Sequence, residues 1–199
     1  MTILTASGSL SLRPMTASNA DLQQYLRWMQ DPEVMRFWDG MTVQHTASSV
    51  FEKHRARLDD GVTPCFVLLA GSPIGYCQFY PTDAEAYDCP PAEYHRFLSP
   101  TDKVFGIELF LIPEHRDKGL GTRVITLLCA YLFRDQQADA LLIDPKAHNA
   151  RAIACYKKCG FRPLFTVPAR EEQDGILHDS LIMGRFAVPD TCTQDEKSI

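Results

Sequence analysis

The chain predicts an α/β (α+β) domain, and three stretches predict it. Val104–Ile112 is an apolar run of strand character that passes through a short basic loop into the helical stretch Gly119–Arg134. Leu141-Leu142-Ile143 lies in a second short buried strand (140–143), followed by Asp144-Pro145 and a helix over Asn149–Cys159. Upstream, Thr63–Ala70 and Pro73–Tyr80 form a hairpin that turns at Gly71-Ser72. At 199 residues and 45% apolar composition there is material for one compact domain with an ample core, expected over 1–188, with 189–199 as a polar tail.

The remaining elements follow in order. Ser9–Met15, with Leu10 and Leu12 alternating, reads as a first strand. Asn19–Gln30 carries helical spacing through Leu22, Leu26 and Met29. Asp31-Pro32 and Phe37-Trp38-Asp39-Gly40 belong to a loop before a helix from about Gln44 to Leu58. Residues 81–103 are rich in Pro, Asp, Glu and Tyr and are expected as a long irregular insertion, a class of loop that is usually functional or disordered. Strands over 161–167 and 178–188 close the domain, and no internal repeat is present. Asn149 is a good N-cap for its helix, Lys157 and Lys158 suit the negative end of the dipole, and Gly160 supplies a left-handed stop.

Composition narrows the function classes. No apolar run approaches membrane-spanning length, and Met1–Ser11 lacks the basic start and apolar stretch of a signal peptide. The seven cysteines include no Cys-x-x-Cys pair and no His-Cys cluster, so the expectation is reduced thiols, no metal and a cytoplasmic location. A net charge of −5, from 25 acidic against 20 basic side chains, disfavours nucleic acid or a membrane as partner and leaves room for a cationic substrate. Either a monomer or a homodimer is compatible with the sequence.

Residues 105–121 are the most informative stretch. A strand carrying one carboxylate, Glu108, runs into Pro113-Glu114-His115-Arg116-Asp117-Lys118, and Gly119-Leu120-Gly121 then opens a helix. First-turn amides have no intrahelical acceptor and carry the positive end of the helix dipole, so this order makes a phosphate or pyrophosphate site. A nucleotide-hydrolase P-loop would need four residues between its glycines and then Lys-Ser/Thr, whereas Thr122 follows Gly121 directly. A dinucleotide fingerprint would need a third glycine where Val124 stands.

The pattern that remains, Arg116-x-x-Gly119-x-Gly121, resembles the acyl-coenzyme A loop of the GCN5-related N-acetyltransferases (GNAT). Asn149-Ala-Arg-Ala-Ile-Ala-Cys-Tyr156-Lys-Lys-Cys-Gly160-Phe161 is similar to the second cofactor motif of the same superfamily. The resemblance implies a mixed, mostly antiparallel sheet flanked by helices, with splayed central strands at 104–112 and 140–143. Acetyl-coenzyme A would lie between them, against Leu109, Phe110 and Leu111, the loop Arg116, Asp117, Lys118, Gly119, Leu120, Gly121 and Thr122, and the helix residues Asn149 and Ala152. Asn149 and Tyr156 are seven residues apart, on one helix face and about 10 Å apart along the axis. In this superfamily a tyrosine in that position commonly protonates the departing thiolate. A thiol with a reference pKa of about 8.5 and a phenol near about 10 are close enough for the proton to pass.

Further segments resemble the aminoglycoside 6'-N-acetyltransferases: Asp31-Pro32-Glu33-Val34, Phe37-Trp38-Asp39-Gly40, Pro73-Ile74-Gly75-Tyr76-Cys77-Gln78, Gly106-Ile107-Glu108, and Asp144-Pro145 ahead of Asn149. That resemblance implies acetyl transfer to an amine of a polycationic sugar, with Glu108 as the proton acceptor and Tyr156 as the proton donor. Trp38, Asp39, Tyr76, Gln78 and Asp144 are the expected substrate contacts. Those enzymes often carry aspartate in the Gly-x-Asp setting, whereas this chain has glutamate, which moves the carboxylate by about one bond length. A siderophore-type or other small-amine acyltransferase, and a catalytically silent acyl-coenzyme A sensor, are the alternatives. The former usually places a histidine in the catalytic strand, where this chain has Glu108, and retention of Glu108 with Tyr156 argues against the latter.

Overall fold

The structure, a computed structural model, describes residues 2–187; the expected polar tail at 189–199 lies outside the described residues. One sheet organises the molecule, with eight strands in the order β1-β2-β3-β4-β5-β6-β8-β7. Its strands are β1 (Thr5–Ser7), β2 (Leu10–Pro14), β3 (Thr63–Leu69), β4 (Ser72–Pro81), β5 (Val104–Leu111), β6 (Ala140–Ile143), β7 (Arg162–Gln173) and β8 (Ile176–Phe186). Every neighbouring pair is antiparallel except β5 and β6. That parallel pair joins only at Val104↔Ala140, Phe105↔Leu141 and Gly106↔Leu142. Beyond Gly106, β5 stays paired to β4 out to Leu111 but has no strand on its other edge. This is the expected splay.

Alternation along β3 shows how the two faces are filled. Cys65 and Val67 point into a cluster with Leu12, Cys77, Phe79, Ile107, Leu141 and the apolar stripe of α5 (Leu120–Arg134), which supplies Val124, Ile125, Leu128 and Leu132. Phe66 and Leu68 point the other way, into a cluster with α1 (Asn19–Met29), α2 (Pro32–Met35) and α3 (Ala47–Asp59). Tyr25, Trp28, Met29, Val34, Val50, Tyr76 and Phe110 complete that layer. Helix α1 starts where the Ser18 side chain accepts from the Asp21 amide. Helix α3 starts at Ala47, three residues later than the spacing suggested, because Thr46 and Ser49 form a reciprocal capping box.

The structure corrects or refines four sequence expectations. Asp31-Pro32 does not begin a loop; Asp31 caps the short helix α2 through the Glu33 amide, with Pro32 in the first turn. Residues 81–103 are largely irregular in backbone, as expected, but they are packed rather than disordered. They hold a 3₁₀ turn at Glu85–Tyr87 and α4 (Pro91–Tyr94), and they bury Tyr87, Cys89, Tyr94 and Leu98 against Val104, Ala140, Leu142, Phe165 and Ile182. The insertion therefore covers one face of β5, β6 and β8, and buried tyrosines supply the apolar contact that a polar-looking composition concealed. Strands β7 and β8 form one long hairpin, with 168–177 mostly in strand where a connecting loop was expected. An additional edge strand, β1, precedes β2. Among the described residues no helix is long and apolar enough to cross a membrane.

Candidate active site

The opening between β5 and β6 places the candidate residues. Glu108 stands on the sheet face shared by the α1–α3 layer and the insertion, at the seam between them, because Gly106, Glu108 and Phe110 alternate with the oppositely directed Ile107 and Leu111. Its register partner on β4 is Gln78, and the Tyr80 hydroxyl donates to its Oε1 at 2.9 Å. Gly106 makes this possible. A Cβ at that position would stand 2.5 Å from the Tyr80 ring, so only glycine lets the ring lie across β5 and reach the carboxylate. The Tyr76 hydroxyl donates to Gln78 Oε1 at 2.7 Å, which leaves the Gln78 amide hydrogens for Glu108.

Burial pushes the Glu108 carboxyl above its usual range, and the nearby charge of Asp144 adds to the rise. The hydrogen bonds from Tyr80 and Gln78 and the positive charge of Arg57 oppose it. A carboxylate so placed is poised to hold a proton taken from an amine. Tyr156, on α6 (Ala150–Lys158), is pushed well above the usual phenol range by burial, with the charges of Cys155, Asp144 and Glu108 acting in the same direction. It is a protonated group, packed on the α5 side of the sheet and against Phe161.

The loop between β5 and α5 has the geometry of an anion site. Gly119 occupies the N-cap position of α5 with φ +72°, a left-handed conformation that favours glycine, and no side chain caps the first-turn amides. The Leu120 side chain is in the core, so only its backbone faces the loop. The Arg116 Nε donates to the Leu111 carbonyl at 2.7 Å and Nη2 to the Glu33 carbonyl at 3.0 Å, pinning the loop to β5 and α2. Asp117 has φ +58° and meets Arg151 at 3.4 Å, while Lys118 is exposed. The Thr122 hydroxyl lies 3.5 Å from Cys155 Sγ, joining α5 to α6 beside Gly121. Asn149 caps α6 through Oδ1 to the Ala152 amide at 3.1 Å, which leaves its amide hydrogens as donors. Uncapped helix amides, a glycine-opened loop and an unpaired strand edge along Leu109, Phe110 and Leu111 together fit an extended pyrophosphate-bearing cofactor.

Three expected substrate contacts are otherwise engaged. Tyr76 is 0% exposed, packed by Tyr25, Trp38 and Phe110, so it is a core residue and presents no face for a sugar. Asp39 is held by Lys53 at 3.0 Å. Asp144 is held by Arg170 at 2.6 Å. In each case the partner comes from a different element, which the local sequence does not announce. Trp38 is half-buried, edge-on to Tyr76 and Phe110, and Gln78 is buried beneath Glu108. Sequence reasoning missed Tyr80 and Arg170. Tyr80 had a usable signal, two residues beyond Gln78 on one strand face and opposite a glycine; Arg170 had none.

Fold and site together define a class of enzyme, an acyl-coenzyme A-dependent transferase built around a splayed sheet. A family model described as "Acetyltransferase (GNAT) domain" matches residues 17–168, and the chain belongs to that family. It is an N-acetyltransferase that uses acetyl-coenzyme A. The aminoglycoside N(6')-acetyltransferase type 1 of Klebsiella pneumoniae is 31% identical over 168 residues, covering 83% of this chain and 80% of that one. Among solved structures, AAC(6')-Ib in complex with ribostamycin and coenzyme A is 29% identical with a TM-score of 0.71, covering 90% of this chain and 94% of the other. The aminoglycoside acetyltransferase AAC(6')-Ib in complex with coenzyme A and kanamycin is also 29% identical, with a TM-score of 0.69 and coverage of 89% and 95%.

Proposed function

We propose that the enzyme acetylates a primary amine of a cationic small molecule, namely the 6'-amine of an aminoglycoside. The observation that carries this reading is Glu108, a carboxylate held by Tyr80 beside an opening whose relatives are aminoglycoside 6'-acetyltransferases. When bound, acetyl-coenzyme A supplies the acetyl thioester. The amides from Arg116 to Thr122 hold its pyrophosphate, and the free donors of Asn149 serve the adjoining arm. An acceptor ammonium with an ordinary pKa of about 10 must lose a proton before it can attack. Glu108 first pairs with that ammonium and then takes its proton. A backbone N–H of β5 near Leu109 or Phe110 stabilises the developing oxyanion. Tyr156 delivers its proton to sulfur as the thiol departs.

Two measurements test this. Thiol release across a panel of aminoglycosides should be confined to members with a 6'-amine and absent from matched 6'-hydroxyl members; turnover of both groups would remove the regiochemistry. Tyr156→Phe should slow thiol release about tenfold, less than the common general-acid effect of about 10²–10⁴, because a thiol already leaves readily. Rates equal to wild type at every pH would remove Tyr156 as the proton donor.

A further inference from the structure

We propose that Arg170 is a positioning residue for this reaction: as the built-in counter-cation of Asp144, it leaves Glu108 as the sole proton acceptor of the cleft. The inference rests on Glu108 being the base.

The sheet register sets the two carboxylates against each other. Val104, Phe105 and Gly106 pair with Ala140, Leu141 and Leu142, so two residues further along Glu108 and Asp144 stand opposite across the gap where the strands have parted. Both follow positions of the same face, Gly106 and Leu142. Two half-buried carboxylates in such positions share protons when nothing separates their charges.

Arg170 prevents this, and it is aimed to do so. It follows a register shift in β7 between Val167 and Glu171, where Ala169 takes φ +51° and its amide is fixed to Asp179 Oδ1 at 2.9 Å. A bulge of this kind redirects the next side chain, here inward. Arg170 Nη1 reaches Asp144 Oδ2 at 2.6 Å and Nη2 donates to the Ala86 carbonyl at 2.8 Å. Its Nε lies 3.6 Å from Asp88 Oδ2, and the guanidinium stacks 5.2 Å from the Tyr87 ring centroid. The Arg170 side chain is 15% exposed and that of Asp144 18%, so solvent screens the pair weakly. Burial pushes Asp144 up while Arg170 pulls it back.

The other groups around Glu108 are accounted for. Tyr80 and Gln78 contact it from β4, and its charge interacts with Tyr76 of the same strand, Arg57 of α3, Tyr87 of the insertion and Tyr156 of α6. Of these only Arg57 is cationic, and its guanidinium is taken up by the Tyr25 hydroxyl and the rings of Tyr25 and Tyr76. Among the described residues, Asp144 is thus the carboxylate that acts on Glu108 and whose state Arg170 controls.

The test is a titration of the Glu108 carboxyl in the free enzyme by ¹³C NMR, with the signal assigned by its loss in Glu108→Gln. Arg170→Gln should move the midpoint up by about one pH unit, Arg170→Lys should return most of the shift, and adding Asp144→Asn to Arg170→Gln should abolish it. A midpoint unmoved in folded Arg170→Gln overturns the proposal. Should that variant fail to fold, Asp144→Asn alone decides: with Arg170 left uncompensated the midpoint should fall, and an unmoved one overturns the proposal. No acceptor is needed, so failure of the aminoglycoside panel leaves this result standing. Where an amine is turned over, the acid limb of kcat/KM should move with the midpoint. A limb that stays put while the midpoint moves removes Glu108 as the base, and the positioning role of Arg170 with it.

Discussion

Glu108→Ala is expected to lower kcat by about 10²–10⁴ while leaving the dissociation constant for coenzyme A nearly unchanged. The two effects should separate because the cofactor contacts proposed above are mainly backbone groups of β5 and the α5 loop, whereas Glu108 reaches toward Tyr80 and Gln78 on β4. The wild-type rate should carry an acid limb as well. A base works only when unprotonated, and burial with the charge of Asp144 raises the Glu108 carboxyl, so activity should fall with decreasing pH at a midpoint above the ordinary carboxylate range. Glu108→Ala should lose that limb. Stopped-flow thiol release against pH, with calorimetric titration of coenzyme A, measures both. A variant that fails to bind the cofactor, or one that keeps the limb, would assign Glu108 another role.

The second large effect concerns stability. Gly75→Ala is expected to cost about 3 kcal/mol, roughly 6–12 °C in Tm for a domain of this size. Gly75 faces Leu111 across β4 and β5, and an added Cβ would stand 2.3 Å from the Phe110 carbonyl oxygen and 2.8 Å from Leu111 Cδ2. The first of these is a backbone atom in the middle of a sheet and cannot rotate away, so the strands must separate. Phe110 would move with them, together with the Trp28, Trp38 and Tyr76 rings packed on it. The KM for acetyl-coenzyme A should rise along with the loss of stability. Thermal unfolding within about 1 °C of wild type would show that the strand pair yields more easily than its geometry allows.

What the sequence disclosed divides along a physical line. Helices α5 and α6 and strands β3 to β6 were legible because each carries its own period, cap or turn, and Gly119 and Asn149 mark their ends. Glu108 was legible as a lone charge in an apolar strand. The insertion was not, because its order comes from Tyr87 and Tyr94 packing on strands that follow it in sequence. Tyr76 looked like a binding aromatic until the helices that bury it were in place. Asp144 looked like a free carboxylate because Arg170 lies 26 residues downstream. Local periodicity reports what a residue does for its own element; it is silent on long-range charge pairing.

The short junction of β5 and β6 has a consequence for stability. Three residue pairs join the two parts of the sheet, and past Gly106 the edge of β5 is left open. A ligand that binds such an edge only in the folded chain draws the folding equilibrium toward it, by about 2.7 kcal/mol when present at a hundred times its dissociation constant. A ligand lying along that edge should therefore raise the unfolding temperature of this chain in a concentration-dependent way, and its resistance to proteases with it.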